Sequence, residues 1–148
     1  MAKQISCPKC ETMVTKNGFK VWQIIVAICF FFSTFVFAQT YEYEPSSVTL
    51  YGTLVSAPGE TPDGDKLMYP ALKLIIPITV EGTPGDDFNS QTEKGITLLQ
   101  LVLKQKMVKK FKKLKGQRVT VIGTLFHSHT GHHHTDVLFE PTAITRAR

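Results

Sequence analysis

From residue 48 onward the chain is written mostly in two-residue alternation. Val48-Thr49-Leu50-Tyr51-Gly52-Thr53-Leu54-Val55 alternates and is rich in β-branched residues, which predicts a strand. Ala57 to Pro70 is crowded with Pro58, Gly59, Pro62, Gly64 and Pro70, and predicts a loop. Ala71 to Val80 (ALKLIIPITV) predicts a second strand, with Pro77 marking an edge or a bulge. Gly82 to Gly95, carrying Pro84-Gly85-Asp86-Asp87, predicts another loop, and Ile96 to Leu103 a third strand. The period then changes. Leu103, Met107, Phe111 and Leu114 form a stripe near 3.6 residues per turn, a helix that Gly116 closes. Gln117 to Ser128 predicts a fourth strand, with Val119, Val121 and Leu125 on one parity, and His134 to Thr145 a fifth. Tyr41 to Ser46 is a polar lead-in.

The order β-β-β-α-β-β over about 110 residues is the connectivity of the OB-fold. The expectation is a mainly β fold with one helix: a small five-stranded OB-like Greek-key barrel spanning residues 44–146. A plain antiparallel sandwich or sheet with one covering helix is the alternative. Val48-Thr49-x-x-Gly52-Thr53-Leu54 echoes Val119-Thr120-x-x-Gly123-Thr124-Leu125. Strands one and four are neighbours in such a barrel, and the two glycines suit strands that coil sharply near closure.

The first 38 residues change the charge arithmetic. The chain carries a net +5. Lys3, Lys9, Lys16 and Lys20 against Glu11 give the leader +3 of this, so the body is only mildly basic. Net charge is then a weak argument for nucleic acid, and none is expected as a partner. Val21 to Ala38 is an uncharged apolar run preceded by Lys16 and Lys20 and followed by Glu42 and Glu44, which places the N-terminus inside and exports the rest. Val36-Phe37-Ala38 has the small residues of a signal-peptidase site, giving cleavage between Ala38 and Gln39. An uncleaved N-terminal anchor is the alternative, in which residues 21–38 make the only membrane contact. All three cysteines lie in the leader. Cys7-Pro8-Lys9-Cys10 has the spacing of half a zinc ribbon, without a second ligand pair close by. Translation starting at Met13 would remove it. Cys29 follows Ile28, against the small residue a lipoprotein signal needs. The body, without cysteine, has neither disulfide nor thiolate chemistry.

The unusual chemistry is histidine. His127, His129, His132, His133 and His134 all fall within eight residues around Gly131. A two-residue Thr130-Gly131 turn would set His129 opposite His132 and His127 opposite His134, with all four on one side of a hairpin. Four such imidazoles could hold Zn²⁺, Cu²⁺ or Ni²⁺, with His133 or Asp136 adding or orienting a ligand. A three-residue turn with a glycine bulge splits the set. Two other readings stay open: imidazoles that pin a hairpin through hydrogen bonds without metal, and a cluster that responds to pH.

The run Gly123-Thr124-Leu125-Phe126-His127-Ser128-His129-Thr130-Gly131-His132-His133-His134-Thr135, with Val48 to Leu54 near the start, resembles the bacterial domain-of-unknown-function family 4431. The resemblance spans about residues 44–145. The family pattern has Pro where this chain has Asp136. The resemblance implies a small exported bacterial domain and no assigned activity.

Seven lysines between residues 104 and 115 surround the apolar stripe. Lys106, Lys109, Lys110 and Lys113 could contact an anionic surface or envelope polymer. A solvated helix face, with lysine stems shielding the core, explains them more simply. The predicted strands two and three carry no aromatic residue, unlike an OB face that stacks bases. Asp63-Gly64-Asp65 and Gly85-Asp86-Asp87 offer oxygens to Ca²⁺, but turn chemistry accounts for them. None of G-x-S-x-G, H-E-x-x-H or a P-loop occurs. The sequence thus predicts an exported, non-enzymatic module of the cell envelope that binds a metal or small ligand through a His-rich hairpin. An accessory domain that contacts an envelope protein, with a structural histidine cluster, is the alternative. A zinc-dependent hydrolase is the third reading.

Overall fold

A computed structural model describes residues 38–147. The expected leader features up to residue 37, including Cys7, Cys10, Cys29, Met13 and all but the last residue of the 21–38 run, lie outside the described residues. Among the described residues no helix is long and apolar enough to cross a membrane.

The elements are β1 (Gln39–Glu42), β2 (Ser47–Glu60), β3 (Lys66–Glu81), β4 (Glu93–Leu101), α1 (Gln105–Leu114), β5 (Arg118–His127) and β6 (Val137–Arg146). β2 pairs antiparallel with β3 and with β5, β5 pairs antiparallel with β6, and β3 pairs antiparallel with β4. A short parallel pairing of β4 with β6, Gln100 opposite Leu138 and Leu101 opposite Phe139, closes the ring. This is the OB-like barrel expected from the element order, with a narrow closing seam. β1 is an addition: it pairs parallel with β3 from Gln39 opposite Ile78 to Glu42 opposite Glu81, so a sixth strand starts before the polar lead-in and takes in its Tyr41 and Glu42.

Parity decides the core. Leu50 and Leu54 of β2, Leu72 and Leu74 of β3, Val119, Val121 and Leu125 of β5, and Phe139 and Ile144 of β6 are buried together. α1 adds Phe111, with Leu103, Met107 and Leu114 packed beside it, as the 3.6-residue stripe predicts. Gly116 (φ +80°) ends the helix. Its N–H donates to the Leu54 carbonyl (2.7 Å), which ties the helix end to β2.

The echoed segments pair with each other. Val48 faces Gly123, and Gly52 faces Val119. A Cβ on Gly52 would strike the Lys73 carbonyl, and one on Gly123 would strike the Glu140 carbonyl and Pro141, so close backbone approach demands both glycines. Pro77 lies where the β3–β4 register shifts between Lys73 and Ile78, the bulge its presence predicts.

The segment 57–70 is largely strand rather than loop. β2 and β3 continue as a ribbon, Ala57 opposite Tyr69 and Glu60 opposite Lys66, around a tight 61–65 turn. In that turn Gly64 has φ +88° and Asp65 N–H donates to Thr61 Oγ1 (3.0 Å). Pro58, opposite Met68, and Pro70, opposite Ser56, share one parity of the ladder. Antiparallel ladders alternate hydrogen-bonded and non-bonded pairs, so two prolines of one parity need not break one. The third strand begins earlier and ends earlier than its apolar run, Glu93–Leu101 against 96–103.

Candidate functional site

β5 ends at His127 and β6 starts at Val137. The hairpin between them is neither the two-residue nor the three-residue turn expected. It is a loop of residues 128–136 whose neck closes where Ser128 N–H donates to the Asp136 carbonyl (2.8 Å). At its tip His133 N–H donates to the Thr130 carbonyl (3.1 Å), making a turn around Gly131 and His132.

Each imidazole has its own surroundings. His127 sits at the neck, 13% exposed, with Nε2 3.2 Å from Glu93 Oε1 and Nδ1 2.9 Å from the Ser128 carbonyl. Its backbone N–H donates to Oδ1 of Asn89 (2.9 Å), a polar side chain buried in the β3–β4 loop. The Asp86 carboxylate holds that loop in turn. It accepts the backbone N–H groups of Phe88 (2.9 Å) and Asn89 (2.7 Å), and these bonds keep its pKa below the usual carboxylate range. So Gly85-Asp86-Asp87 works as turn chemistry.

His129 and His133 meet nearly at right angles, ring centroids 4.9 Å apart, flanked by Phe88 and Phe126. His129 N–H donates to His133 Nδ1 (3.1 Å), which makes that nitrogen an acceptor. Burial pushes the His133 pKa down, and the neighbouring His129, His132 and His134 push it further the same way. His134 stacks on Tyr69 of β3, centroids 4.7 Å apart. Its N–H donates to Gln100 Oε1 (2.6 Å). Gln100 Nε2 donates to the His132 carbonyl (3.4 Å), and Gln100 N–H to Thr135 Oγ1 (3.0 Å). The His132 and Asp136 side chains are exposed.

The loop therefore lies across the outer faces of β3 and β4. Beneath it Ala57, Tyr69 and Ala71, with Val55, Leu67 and Leu98, form a small apolar cluster separate from the barrel interior. A Cβ on Gly59 would come within 3.0 Å of the His134 ring, so glycine makes room for the loop. Barrels of this topology take ligands on this face and on the loops that flank it, which here are the 61–65 turn and the His loop. The face has an aromatic after all: Tyr69, concealed when 57–70 is read as loop.

His127, His129, His132 and His134 do not converge. Among the described residues no group of three or more His, Cys, Asp or Glu side chains is placed to hold a metal ion. The pair brought together is His129 with His133, and Asp136 stays at the neck. Lys106, Lys109, Lys110 and Lys113 are all exposed along α1. Lys104 makes an ion pair with Glu140.

Tyr43, 1% exposed, packs edge-on to His127 at 6.2 Å. Its hydroxyl has no hydrogen-bond partner among the described residues. Burial, then the charges of Glu93 and Asp136, push its pKa up to about 12.

Residues 98–145 match the family model Domain of unknown function (DUF4431). The DUF4431 match takes in the end of β4, α1, β5, the His loop and nearly all of β6. It is the family the histidine run resembles, over a shorter stretch than the 44–145 of that resemblance: β1, β2, β3 and most of β4 precede it. Gln100, which fastens the His loop, falls inside the DUF4431 segment. Tyr69, Asn89 and Glu93, on which the loop rests, fall outside it. No curated protein matches the chain.

The supporting residues differ in how visible they are. Tyr69 continues the parity of Leu67 and Ala71 and could have been found by extending the second strand backward. Asn89, Glu93 and Gln100 act on residues more than thirty positions away, and no local pattern marks them.

Proposed function

We propose that this protein is an exported, non-enzymatic binding domain of the cell envelope and that the His loop is its contact element. One observation carries the reading: the loop lies over the barrel face where this topology receives ligands, and its tip residues Thr130, Gly131 and His132 are exposed. His129 and His132 are exposed there, and Phe88, 61% exposed, lies against His129. The ligand is a metal ion or a small ligand that imidazole recognises. For a metal, His129 and His133 are the starting pair, and imidazole chemistry favours Zn²⁺, Cu²⁺ or Ni²⁺. The remaining coordination positions would come from His132, from solvent or from a ligand.

Export is supported by the order of charges around the 21–38 run and by β1. Gln39, the first residue after the expected cleavage, is also the first residue of β1, so cleavage leaves every described strand intact. The mass of the protein recovered from the periplasm of cells expressing the full chain tests this.

The binding reading is tested by elemental analysis of that protein, then by calorimetric titration with Zn²⁺ and Cu²⁺. Wild type should bind one equivalent, and His129→Ala/His133→Ala should lose it while keeping its fold. Failure of wild type to bind either ion discards the metal. The second reading then stands, an accessory domain that contacts an envelope protein. It is favoured by His127 and His134, which are already engaged by Glu93, Gln100 and Tyr69.

A further inference from the structure

We propose that the groove between α1 and the β2–β3 ribbon docks on an anionic lipid surface, with Met68 as its apolar contact and Lys112 and Lys115 as its headgroup contacts. The inference is independent of the His loop and stands if the reading above fails.

The ribbon runs past the end of the barrel. Strand parity puts Ser56, Met68 and Pro70 on the side that carries Leu54 and Leu72 into the core. α1 covers that side only in part. What it leaves open is a groove of about 500 Å³, floored by Met68, Pro70, Leu103, Val108 and Phe111 and edged by Lys112 and Lys115. Met68 is 61% exposed, and it also lines a second hollow on the ribbon. A lone exposed methionine is ordinary. This one sits at the mouth of an apolar groove with ammonium groups on the opposite wall.

Charge selects the occupant. α1 contains six lysines from Lys106 to Lys115, counting its C-cap, and no acidic residue. Of the segment's lysines, Lys104 is the one paired with a carboxylate among the described residues. The field along the helix is therefore positive and uncompensated, and it continues from the groove onto Lys109 and Lys113. An anionic partner with an apolar part fits this surface. A fluid headgroup layer fits better than a folded acidic protein. The groove supplies no arginine fork and, apart from Ser56, no neutral side-chain hydrogen-bonding group to fix a partner's orientation. Point charges beside an unbranched thioether instead match phosphate headgroups above acyl chains. Glu60, Asp63 and Asp65 at the ribbon's far end limit the contact to the side facing α1.

The test uses the full chain mixed with vesicles of phosphatidylcholine alone, or of phosphatidylcholine with phosphatidylglycerol. Lysine acylation and methionine oxidation are then mapped by mass spectrometry. Whatever the N-terminal run does is common to both vesicle types. We expect labelling of Met68, Lys112 and Lys115 to fall roughly tenfold on the anionic vesicles only. High salt should restore it. Lys112→Glu/Lys115→Glu should abolish the protection at Met68, and the milder Lys112→Gln/Lys115→Gln should reduce it. Labelling of partly buried Met107 should stay constant throughout, reporting an intact fold. Equal labelling on both vesicle types overturns the proposal. Protection by soluble polyglutamate but not by anionic vesicles also overturns it, and makes the occupant an acidic protein.

Discussion

β5 belongs to two regions that are held in opposite ways. Along its length it is locked between β2 and β6 by backbone ladders, and its inward residues Val119, Val121 and Leu125 are wholly buried. Past its end the chain enters the His loop, which shares almost no ladder with its surroundings. That loop is fastened by side chains: Gln100 to His132 and His134, Asn89 to His127, Thr135 to Gln100, Tyr69 under His134. The barrel is specified by a repeating pattern whose core positions, apart from the close approaches at Gly52 and Gly123, accept another apolar residue of similar volume. The loop is specified by a handful of individual atoms. A loop held that way can change its contacts without disturbing the barrel beneath it.

The largest effect separates the regions by stability. Phe139→Ala empties the centre of the core and should cost about 3–5 kcal/mol in urea unfolding. The His loop should remain the first segment to exchange its amides. If Phe139→Ala loosens the loop alone, the two regions are not independent. Next come the fasteners. Gln100→Ala and Asn89→Ala each leave a partly buried backbone N–H without its acceptor, at about 1–3 kcal/mol apiece. Hydrogen exchange should show the His127 amide faster in the Asn89 variant and the His134 amide faster in the Gln100 variant, with Val121 unchanged. Uniform acceleration across β5 would merge the two regions into one unit.

That division explains what could be read in advance. The β-β-β-α-β-β order, the pairing of the two glycine-bearing echoes and the buried parity of Val119, Val121 and Leu125 follow from local periodicity. So does the stripe that sets Phe111 into the core. The ribbon at 57–70 was hidden because Pro58 and Pro70 signal a break, whereas their shared parity lets the ladder continue. β1 was hidden because four residues at a sheet edge carry almost no pattern. The histidines announced that something is built at 127–134. Their geometry was not legible, because it depends on Asn89 and Gln100, and a two-residue turn and a nine-residue loop fit the same letters.

A smaller effect concerns the orphaned hydroxyl beneath His127. Tyr43→Phe removes a buried polar group that has no hydrogen-bond partner among the described residues, and should be neutral or stabilising by up to about 1 kcal/mol. Its alkaline behaviour follows from the raised pKa. The stabilisation from keeping Tyr43 protonated is complete below pH 10 and is lost as pH rises toward about 12, where the unfolded tyrosine is already ionised. Tyr43→Phe should flatten that alkaline loss. Clear destabilisation by this variant would mean that the hydroxyl is bonded in solution.

The smallest effect is acidic. The His133 pKa lies below its ordinary value, so the unfolded chain binds this proton first as pH falls. Stability linked to His133 is complete above about pH 6.5 and declines below it. His133→Asn should reduce the drop in urea midpoint between pH 7.5 and a mildly acidic pH. An unchanged drop would assign the acid sensitivity to other groups.

The central claim is that His127 and His134 are fastened to the barrel strands and the β3–β4 loop, whereas His129 and His133 pair with each other. Imidazole NMR during a Zn²⁺ titration of the protein tests it most directly. The account predicts that the His129 and His133 resonances shift together while those of His127 and His134 stay in place. A joint shift of His127, His129, His132 and His134 would contradict it, because the loop would then have left Gln100 and Tyr69 to assemble a four-histidine site.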